Sequence, residues 1–348
     1  MKDKNKILAI GIPSYNGEPY LDRCIPTFIH EDLLDKIEVI IVNDGSKDRT
    51  KEIAEKYHKK YPNTVKVINK ENGGHGSAVN AALEYTNAKY YKVVDCDDWV
   101  DTKELVKLVK FLENNDVDLV TNNYETVDMV TGESKPVVNN GYEYGKIYKF
   151  DEIDANKCYF SIHSTTYKTK ILKDHNIKLQ EHTFFVDVEY QLLPIPYIET
   201  VAFLDYVVYK YMIGNVNQSV NIDNFVRRYD NHDRVVKRVL DFINTTEFSE
   251  KQYEYIENVF VKVINTHYNL SAFFDTDEER GKKRTIDFDS YLKEKNITLY
   301  NKVAEYNPRI ARLRMNNFNK EKAKKQKFQT LRKIKRVLFF REEKKWVK

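Results

Sequence analysis

Three carboxylates that end an apolar run are the residues of this 348-residue chain best suited to chemistry. Asp95, Asp97 and Asp98 directly follow the strand-like sequence of residues 90–94. The carboxyl end of a strand is where an open α/β sheet places its ligand crevice. Clustered oxygen ligands suit Mg²⁺ or Mn²⁺, and such a cation bridges carboxylates to the phosphates of a nucleotide. The cluster therefore predicts a site for Mn²⁺ or Mg²⁺.

A second interpretation of the same residues is structural. Asp98 and Asp101 both have the side chain of a helix N-cap, and residues 102–115 show helical periodicity. Short acidic motifs also occur by chance, so the carboxylates alone leave both interpretations open.

Polar loops also follow the three earlier strand-like runs. Their sequences are PSYN at residues 13–16, NDGSKD at residues 43–48 and NGGHG at residues 72–76. Glycines in the third loop let the backbone approach a ligand closely, and the helix expected from about residue 77 offers free N–H groups to an anion. Four such loops in succession predict a nucleotide diphosphate that lies across the sheet.

The elements that carry these loops alternate between strand-like and helix-like sequence. Continuous apolar runs predict strands at residues 7–12, 38–42, 65–68, 90–94 and 119–122. Helical patterns lie between them at residues 20–29, 51–61, 77–86 and 102–115. This alternation predicts an α/β fold with a mostly parallel, Rossmann-like sheet and flanking helices, in which distant loops meet at one edge.

The sequence changes character after this alternation. Residues 124–150 predict antiparallel hairpins, and residues 201–212 predict one or two further strands. Helical patterns dominate from residue 221 to about 275, and residues 287–303 continue as helix or loop. We expect a first domain over residues 1–220, a helical C-terminal region over residues 221–319 and a basic tail over residues 320–348.

In this order, the motifs resemble those of the family 2 glycosyltransferases, which have the GT-A fold. The residues that carry the resemblance are Pro13, Tyr15 and Asn16 of a PxYN motif, Asn43, Asp44, Gly45 and Ser46 of a DDGS motif, Asn72, Gly73 and Asn80 of an NxG…RN segment, and Asp95, Asp97 and Asp98 of a DxDD motif. The match covers roughly residues 6–215. It implies inverting, metal-dependent transfer of a sugar from a nucleotide-diphosphate donor, with UDP as the expected nucleotide.

The resemblance also implies roles for single residues. Pro13 and Tyr15 would wall the pocket for the base, and Asp44 would contact the base. Asp95 would bind the ribose or a metal-linked water, and Asp97 would coordinate the metal. The other residues expected to bind the donor are Asn16, Asn72, Gly73, Gly74 and Asn80.

Family members supply a catalytic base from a Glu-Asp pair where an aromatic segment enters a helix. The sequence FFVDVE at residues 184–189 occupies this place, so Asp187 is the expected base and Val186 replaces the Glu. Glu189 is a rival, although two residues further along a helix its side chain points about 200° away. The structural alternative for Asp187 is a helix N-cap.

Composition bears on compartment and partners. Three widely separated cysteines without CxxC spacing argue against a disulfide framework and a zinc site. The apolar run near the N-terminus is broken by Pro13 and is too short for a signal or spanning helix, so we expect cytoplasmic residence.

Residues 320–348 hold 13 Lys/Arg and 3 Glu in a basic amphipathic pattern. This pattern fits peripheral docking on an anionic membrane at its inner face, a helix packed on the protein itself or a solvated tail, and nucleic acid is a poorer candidate.

The type of acceptor and two rival functions complete the expectations. The chain has no QxxRW segment and no apolar run of about twenty residues, which favours transfer of one sugar per encounter to a cell-surface glycan or lipid-linked acceptor. A sugar-1-phosphate nucleotidyltransferase would carry a basic glycine-rich loop after its first strand, whereas PSYNGEPY has one Gly and no Lys or Arg. A non-catalytic partner subunit of a transferase would not need Asp95, Asp97 and Asp187.

Overall fold

The computed structural model describes residues 6–214 and 222–320. The chain divides into two compact units between Asn215 and Val216. The expected domain boundary at residue 220 and the tail beyond residue 320 lie outside the described residues. Strands and helices make up the first unit, and helices make up the second.

The first unit alternates strands and helices over its first 114 residues. Its strands are β1 (Leu8–Ser14), β2 (Ile37–Asp44), β3 (Val65–Lys70), β4 (Tyr90–Val93), β5 (Trp99–Val100), β6 (Leu119–Asp128), β7 (Ser134–Val137), β8 (Ile147–Lys149), β9 (Thr165–Lys168) and β10 (Thr200–Ile213). Its α-helices are α1 (Glu18–Cys24), α2 (Thr50–Lys60), α3 (His75–Tyr85), α4 (Thr102–Asn114), α5 (Thr169–Asp174) and α6 (Asp187–Leu192). The predicted α/β fold is confirmed.

The sheet is parallel in its first half and mixed in its second. The strand order is β3-β2-β1-β4-β9-β6-β10-β5, with β7 beside β6 and β8 beside β10. The first four strands are parallel, as the alternation predicts. β9 lies antiparallel between β4 and β6, and β6 runs parallel to β10. Between residues 124 and 150 one hairpin forms, β6 with β7, whereas β8 pairs with the distant β10.

Helix α4 follows the acidic cluster and has its own cap. The Asp101 carboxylate accepts hydrogen bonds from the N–H groups of Lys103 and Glu104 at 3.0 and 3.1 Å. The face of α4 that packs on the core carries apolar residues at helical spacing, namely Leu105, Leu108, Val109 and Leu112. Because Asp101 caps this helix, Asp98 is left for another role.

The second unit consists of helices. They are α7 (Ile222–Arg227), α8 (Tyr229–Thr245), α9 (Glu250–Asn269), α10 (Glu278–Lys295), α11 (Ile297–Tyr306) and α12 (Pro308–Met315), with a π-helical turn at Leu270–Phe274. The predicted helical C-terminal region is confirmed, and the segment expected as helix or loop lies in α10 and α11. Among the described residues, no helix combines the length and the apolar character needed to cross a membrane.

Two buried histidines predict how the second unit responds to acid. The Nδ1 atoms of His232 and His267 lie 3.0 Å apart. Burial lowers the pKa of both rings below the ordinary value, although Asp233 opposes the shift of His267. Below about pH 6.5 the unfolded chain therefore binds protons that the folded chain does not. The free energy of unfolding decreases as the pH is lowered, by up to about 1.4 kcal/mol per pH unit for each ring.

We expect the change His232→Phe to reduce the loss of unfolding free energy between about pH 7 and about pH 5, because it removes one of these rings. Urea denaturation at both pH values measures the loss in the wild type and in the variant. An equal loss in the two proteins would contradict the prediction.

Candidate active site

The parallel strands bring the polar loops to one edge of the sheet. Ser14 of β1 pairs with Asn43 of β2, and Gly11 of β1 pairs with Val93 of β4. The loops after these strands therefore begin side by side at the carboxyl ends, where α/β sheets bind ligands.

The loop after β1 presents Tyr15 to solvent. Tyr15 is 54% exposed, so it does not serve core packing, whereas Pro13 is buried within β1. Asn16 has a φ of 52°, and its side chain accepts a hydrogen bond from the N–H of Lys47 at 2.9 Å. The Asn16 N–H donates to Ser46 Oγ at 3.0 Å. These bonds tie the loops after β1 and β2 together beside an exposed aromatic ring.

Asp44 organises the glycine loop. Its buried carboxylate accepts hydrogen bonds from the N–H groups of Gly73 and Gly74 at 2.9 and 2.8 Å and from Asn72 Nδ2 at 3.1 Å. Lys70 Nζ lies 2.9 Å from the same carboxylate. Both Asp44 oxygens are thus engaged by the protein, and the contact of Asp44 with a nucleotide base stays a prediction.

The glycine loop leads directly into α3. Gly74 has a φ of 85°, a conformation that favours glycine, and α3 begins at His75, two residues before the predicted start. His75 therefore lies in the first turn, where its Nε2 atom is 2.8 Å from Asp95 Oδ1. Burial disfavours a charge on His75, but Asp95 outweighs it and raises the pKa of His75, with smaller contributions from Asp187 and Asp97. Asp95, Asp187 and Asp97 therefore all favour the protonated form of His75.

Asn80 connects α3 to a distant segment. Its Nδ2 atom donates to the carbonyl of Leu179, and its Oδ1 atom accepts from the N–H of Leu179, both at 2.8 Å. This pair holds the chain that leads towards Asp187. The geometry gives Asn80 a positioning role, and its direct contact with a donor stays a prediction.

Asp98 connects the acidic cluster to β10 through hydrogen bonds. Its carboxylate accepts hydrogen bonds from Tyr209 Oη at 2.6 Å and from the N–H of Met212 at 2.7 Å. The Asp95 N–H in turn donates to Tyr209 Oη at 3.2 Å. Asp98 is buried, whereas the side chain of Asp95 is 29% exposed. The cluster therefore has one carboxylate in the interior and one that faces the crevice.

The acidic cluster carries negative charge that favours a cation. Burial, and after it the charge of Asp95, raises the pKa of Asp97 to about 6. Burial and its two neighbours also raise the pKa of Asp98 well above the ordinary value. A cation would relieve this repulsion. Potential ligand atoms of Asp95, Asp98 and His163 lie within 4.8 Å of one another, a donor set that fits a divalent ion, whereas the metal role of Asp97 stays a prediction.

Asp187 is the first residue of α6 and is exposed towards the crevice. Val186, and not Asp187, occupies the N-cap position, so the structural alternative for Asp187 does not hold. Loss of water around the carboxyl group raises the pKa of Asp187, and the charge of His75 partly offsets the shift. A carboxylate with a raised pKa accepts a proton more readily near neutral pH, so this geometry suits a base.

Glu189 has a structural environment instead. It is buried, and its carboxylate accepts hydrogen bonds from the N–H and Nε2 of Gln180 at 2.8 and 2.5 Å. A base must reach the proton that it removes, and these contacts turn Glu189 towards the protein interior. Of the two carboxylates, Asp187 is therefore the better placed.

Sequence reasoning missed Lys92. This lysine of β4 is fully buried, and its Nζ atom donates to the carbonyls of His163 and Thr165 at 2.8 and 3.2 Å. Burial lowers its pKa to about 7. The available signal was a lysine inside an otherwise apolar strand, which indicates a buried amine with a positioning role. Lys92 fixes the segment before β9 against the strand that leads to Asp95.

Comparison with known proteins shows which family this fold and site resemble. The family model described as glycosyl transferase family 2 matches residues 9–175. EpsJ of Bacillus subtilis, described as an uncharacterized glycosyltransferase, is 39% identical over 114 residues, which cover 33% of this chain and 33% of EpsJ. The minor teichoic acid biosynthesis protein GgaB of the same organism is 30% identical over 196 residues, which cover 54% of this chain and 21% of GgaB. The chain thus spans a third or less of these two relatives.

The fold also matches a solved structure. The crystal structure of S. aureus TarS 1–349 in complex with UDP-GlcNAc superposes with a TM-score of 0.62 at 20% identity, over 86% of this chain and 90% of that one. The match of this family model to residues 9–175 confirms the resemblance seen in the motifs. The GT-A fold is confirmed by this superposition.

Proposed function

We propose that this protein transfers a single sugar, with inversion, from a nucleotide-diphosphate sugar to a cell-surface glycan or lipid-linked acceptor. One observation carries the proposal. His75 Nε2 lies 2.8 Å from Asp95 Oδ1, and the charges of Asp187 and Asp97 also raise the pKa of His75, although these residues come from three separate segments. UDP is the favoured nucleotide because TarS, which shares the fold, has been crystallised with UDP-GlcNAc.

The proposed reaction is a single displacement. Asp187 accepts the proton of the acceptor hydroxyl while that oxygen bonds to the anomeric carbon and the bond from this carbon to the diphosphate oxygen breaks. One base and no enzyme nucleophile suffice for such a displacement, which inverts the anomeric centre. The exposed ring of Tyr15 stacks on the base of the donor.

The diphosphate needs positive charge and hydrogen-bond donors. The N–H groups at the start of α3 and the imidazole of His75 supply donors at the glycine loop. Mn²⁺ or Mg²⁺ held by the acidic cluster, with Asp97 among its ligands, would stabilise the charge of the leaving diphosphate.

Donor binding by the pure protein tests the proposal. We expect UDP and one or more UDP-sugars to raise the melting temperature in the presence of Mn²⁺, because the ligand binds only the folded chain. EDTA should abolish the shift. Absence of a shift with every uridine and guanosine diphosphate sugar, with or without Mn²⁺, would contradict the proposal.

We further propose that the protein works at the cytoplasmic face of a membrane and that its basic tail docks there. The cations of residues 320–348 would meet anionic lipid, each contributing on the order of 1 kcal/mol near the surface. Among the apolar residues that recur at helical spacing are Phe328, Leu331, Ile334 and Leu338. A lipid-linked acceptor would then lie close to the catalytic unit.

Vesicle sedimentation tests the tail. We expect the full chain to sediment with vesicles that contain phosphatidylglycerol but not with pure phosphatidylcholine, and salt should weaken the binding. A chain that ends at Asn319 is the matched control and should remain in the supernatant. Equal partitioning of the two chains would contradict the prediction.

A further inference from the structure

We propose that His163 is a nitrogen ligand of the divalent cation, together with Asp95 and Asp98, so that the site prefers Mn²⁺ to Mg²⁺. The proposal rests on the proposed function, because it assumes a metal in the acidic cluster. The family resemblance implies Asp97 as the metal ligand. The proposal therefore adds a ligand from a segment that lies more than sixty positions further along the chain.

The distances permit this coordination. The potential ligand atoms of Asp95, Asp98 and His163 lie within 4.8 Å of one another. An ion about 2.1 Å from each ligand holds opposite ligand atoms about 4.2 Å apart. Adjacent ligand atoms around the same ion lie about 3 Å apart, so side-chain movements of up to about 2 Å bring the three groups onto one ion. His75 binds Oδ1 of Asp95, which leaves Oδ2 for the ion.

One ring nitrogen of His163 has a hydrogen-bond partner, as is usual for metal-binding histidines. Its Nδ1 atom lies 3.0 Å from Ser161 Oγ. A ligating imidazole normally engages its other nitrogen with an outer partner of this kind, which fixes the ring and its tautomer. Nε2 is then the nitrogen available to an ion.

The surroundings also restrict the position of the ring. His163 stacks on Tyr211 with a centroid distance of 4.3 Å and contacts the rings of Tyr124 and Tyr209 at 5.2 and 4.9 Å. Its carbonyl accepts a hydrogen bond from the buried Lys92 at 2.8 Å. Tyr209 also binds Asp98, so the same residue positions two of the three ligands.

The donor set decides which metal is preferred. Mg²⁺ favours an octahedron of oxygen ligands and retains several waters, whereas imidazole is a ligand of transition metals. An imidazole among the carboxylates therefore favours Mn²⁺ over Mg²⁺, the two ions expected at this site. Loss of the imidazole should remove that preference.

Pulsed electron paramagnetic resonance of Mn²⁺ tests the assignment without an activity assay. We use the full chain with Mn²⁺ and UDP, and we expect modulation from a histidine nitrogen that changes when histidine is labelled with ¹⁵N. His163→Gln should abolish the modulation, weaken Mn²⁺ binding by about 10-fold or more and change Mg²⁺ binding by less than about 2-fold. His75→Gln is the matched control, because His75 also contacts Asp95, and it should keep the modulation.

Each other outcome overturns the inference. Bound Mn²⁺ without histidine modulation would exclude His163 as a ligand and leave the proposed function intact. Modulation that persists in His163→Gln but disappears in His75→Gln would assign the nitrogen to His75. Failure of Mn²⁺ to bind even with UDP would contradict both the inference and the metal dependence of the proposed function.

Discussion

The change Asp187→Asn is expected to slow sugar transfer by about 10²- to 10⁴-fold, which is the usual contribution of a positioned base. Asparagine keeps the size of the side chain and one acceptor oxygen, but it does not accept the proton of the acceptor hydroxyl. Donor affinity should change little, because the role proposed for Asp187 concerns the acceptor. Turnover measured by release of the nucleoside diphosphate and donor affinity measured by calorimetry together separate the two effects.

The neighbouring carboxylate supplies the control for this prediction. Glu189 is buried and bound to Gln180, so Glu189→Gln should affect stability more than proton transfer. Wild-type turnover in Asp187→Asn combined with loss of turnover in a folded Glu189→Gln protein would assign the base to Glu189.

The change Asp97→Ala is expected to abolish metal-dependent binding of the donor. In the proposed function the diphosphate binds through the cation. Burial, and after it the charge of Asp95, raises the pKa of Asp97 to about 6, and a bound cation would favour the charged form of this carboxylate. Calorimetry with UDP, with and without Mn²⁺, measures the effect. Asp101→Asn is the control, because Asp101 caps α4 and is not expected to bind the ion.

An Asp97→Ala protein that binds UDP with unchanged affinity and unchanged Mn²⁺ dependence would refute the metal role of Asp97. Asp95, Asp98 and His163 would then remain as the proposed protein ligands. The experiment therefore distinguishes Asp97, the metal ligand expected from the motif, from the three ligands expected from the geometry.

The first half of the fold was predictable because its signals are local. Apolar runs separated by single helical patterns indicate parallel strands, and parallel strands place their following loops at one edge. The second half was predicted less well. β9 inserts antiparallel between β4 and β6, and β8 pairs with β10 across about fifty residues of chain. Pairing over such separations depends on tertiary packing that the local sequence does not reveal.

The residues of the site also divide into those marked by local sequence and those placed by long-range contacts. The acidic cluster and Tyr15 could be located from motifs, because each follows a strand whose end the sequence marks. Asp187 could be located only from the resemblance of its segment to that of the family. The hydrogen-bond partners of the site could not be predicted from the sequence. Asn80 binds Leu179, which lies 99 positions away, and Tyr209 binds Asp98, which lies 111 positions away. The roles of His163 and Lys92 likewise depend on contacts made only after folding.

Metal-dependent turnover of a nucleotide sugar tests the central claim most directly. Pure protein is incubated with a panel of UDP- and GDP-sugars and Mn²⁺, and release of the nucleoside diphosphate is measured for the wild type, Asp97→Ala and Asp187→Asn. We predict release from at least one donor by the wild type, its loss with EDTA and in Asp97→Ala, and a rate about 10²-fold or more lower in Asp187→Asn. Release that persists in EDTA and in both variants, or its absence with every donor although the donors bind, would contradict the account.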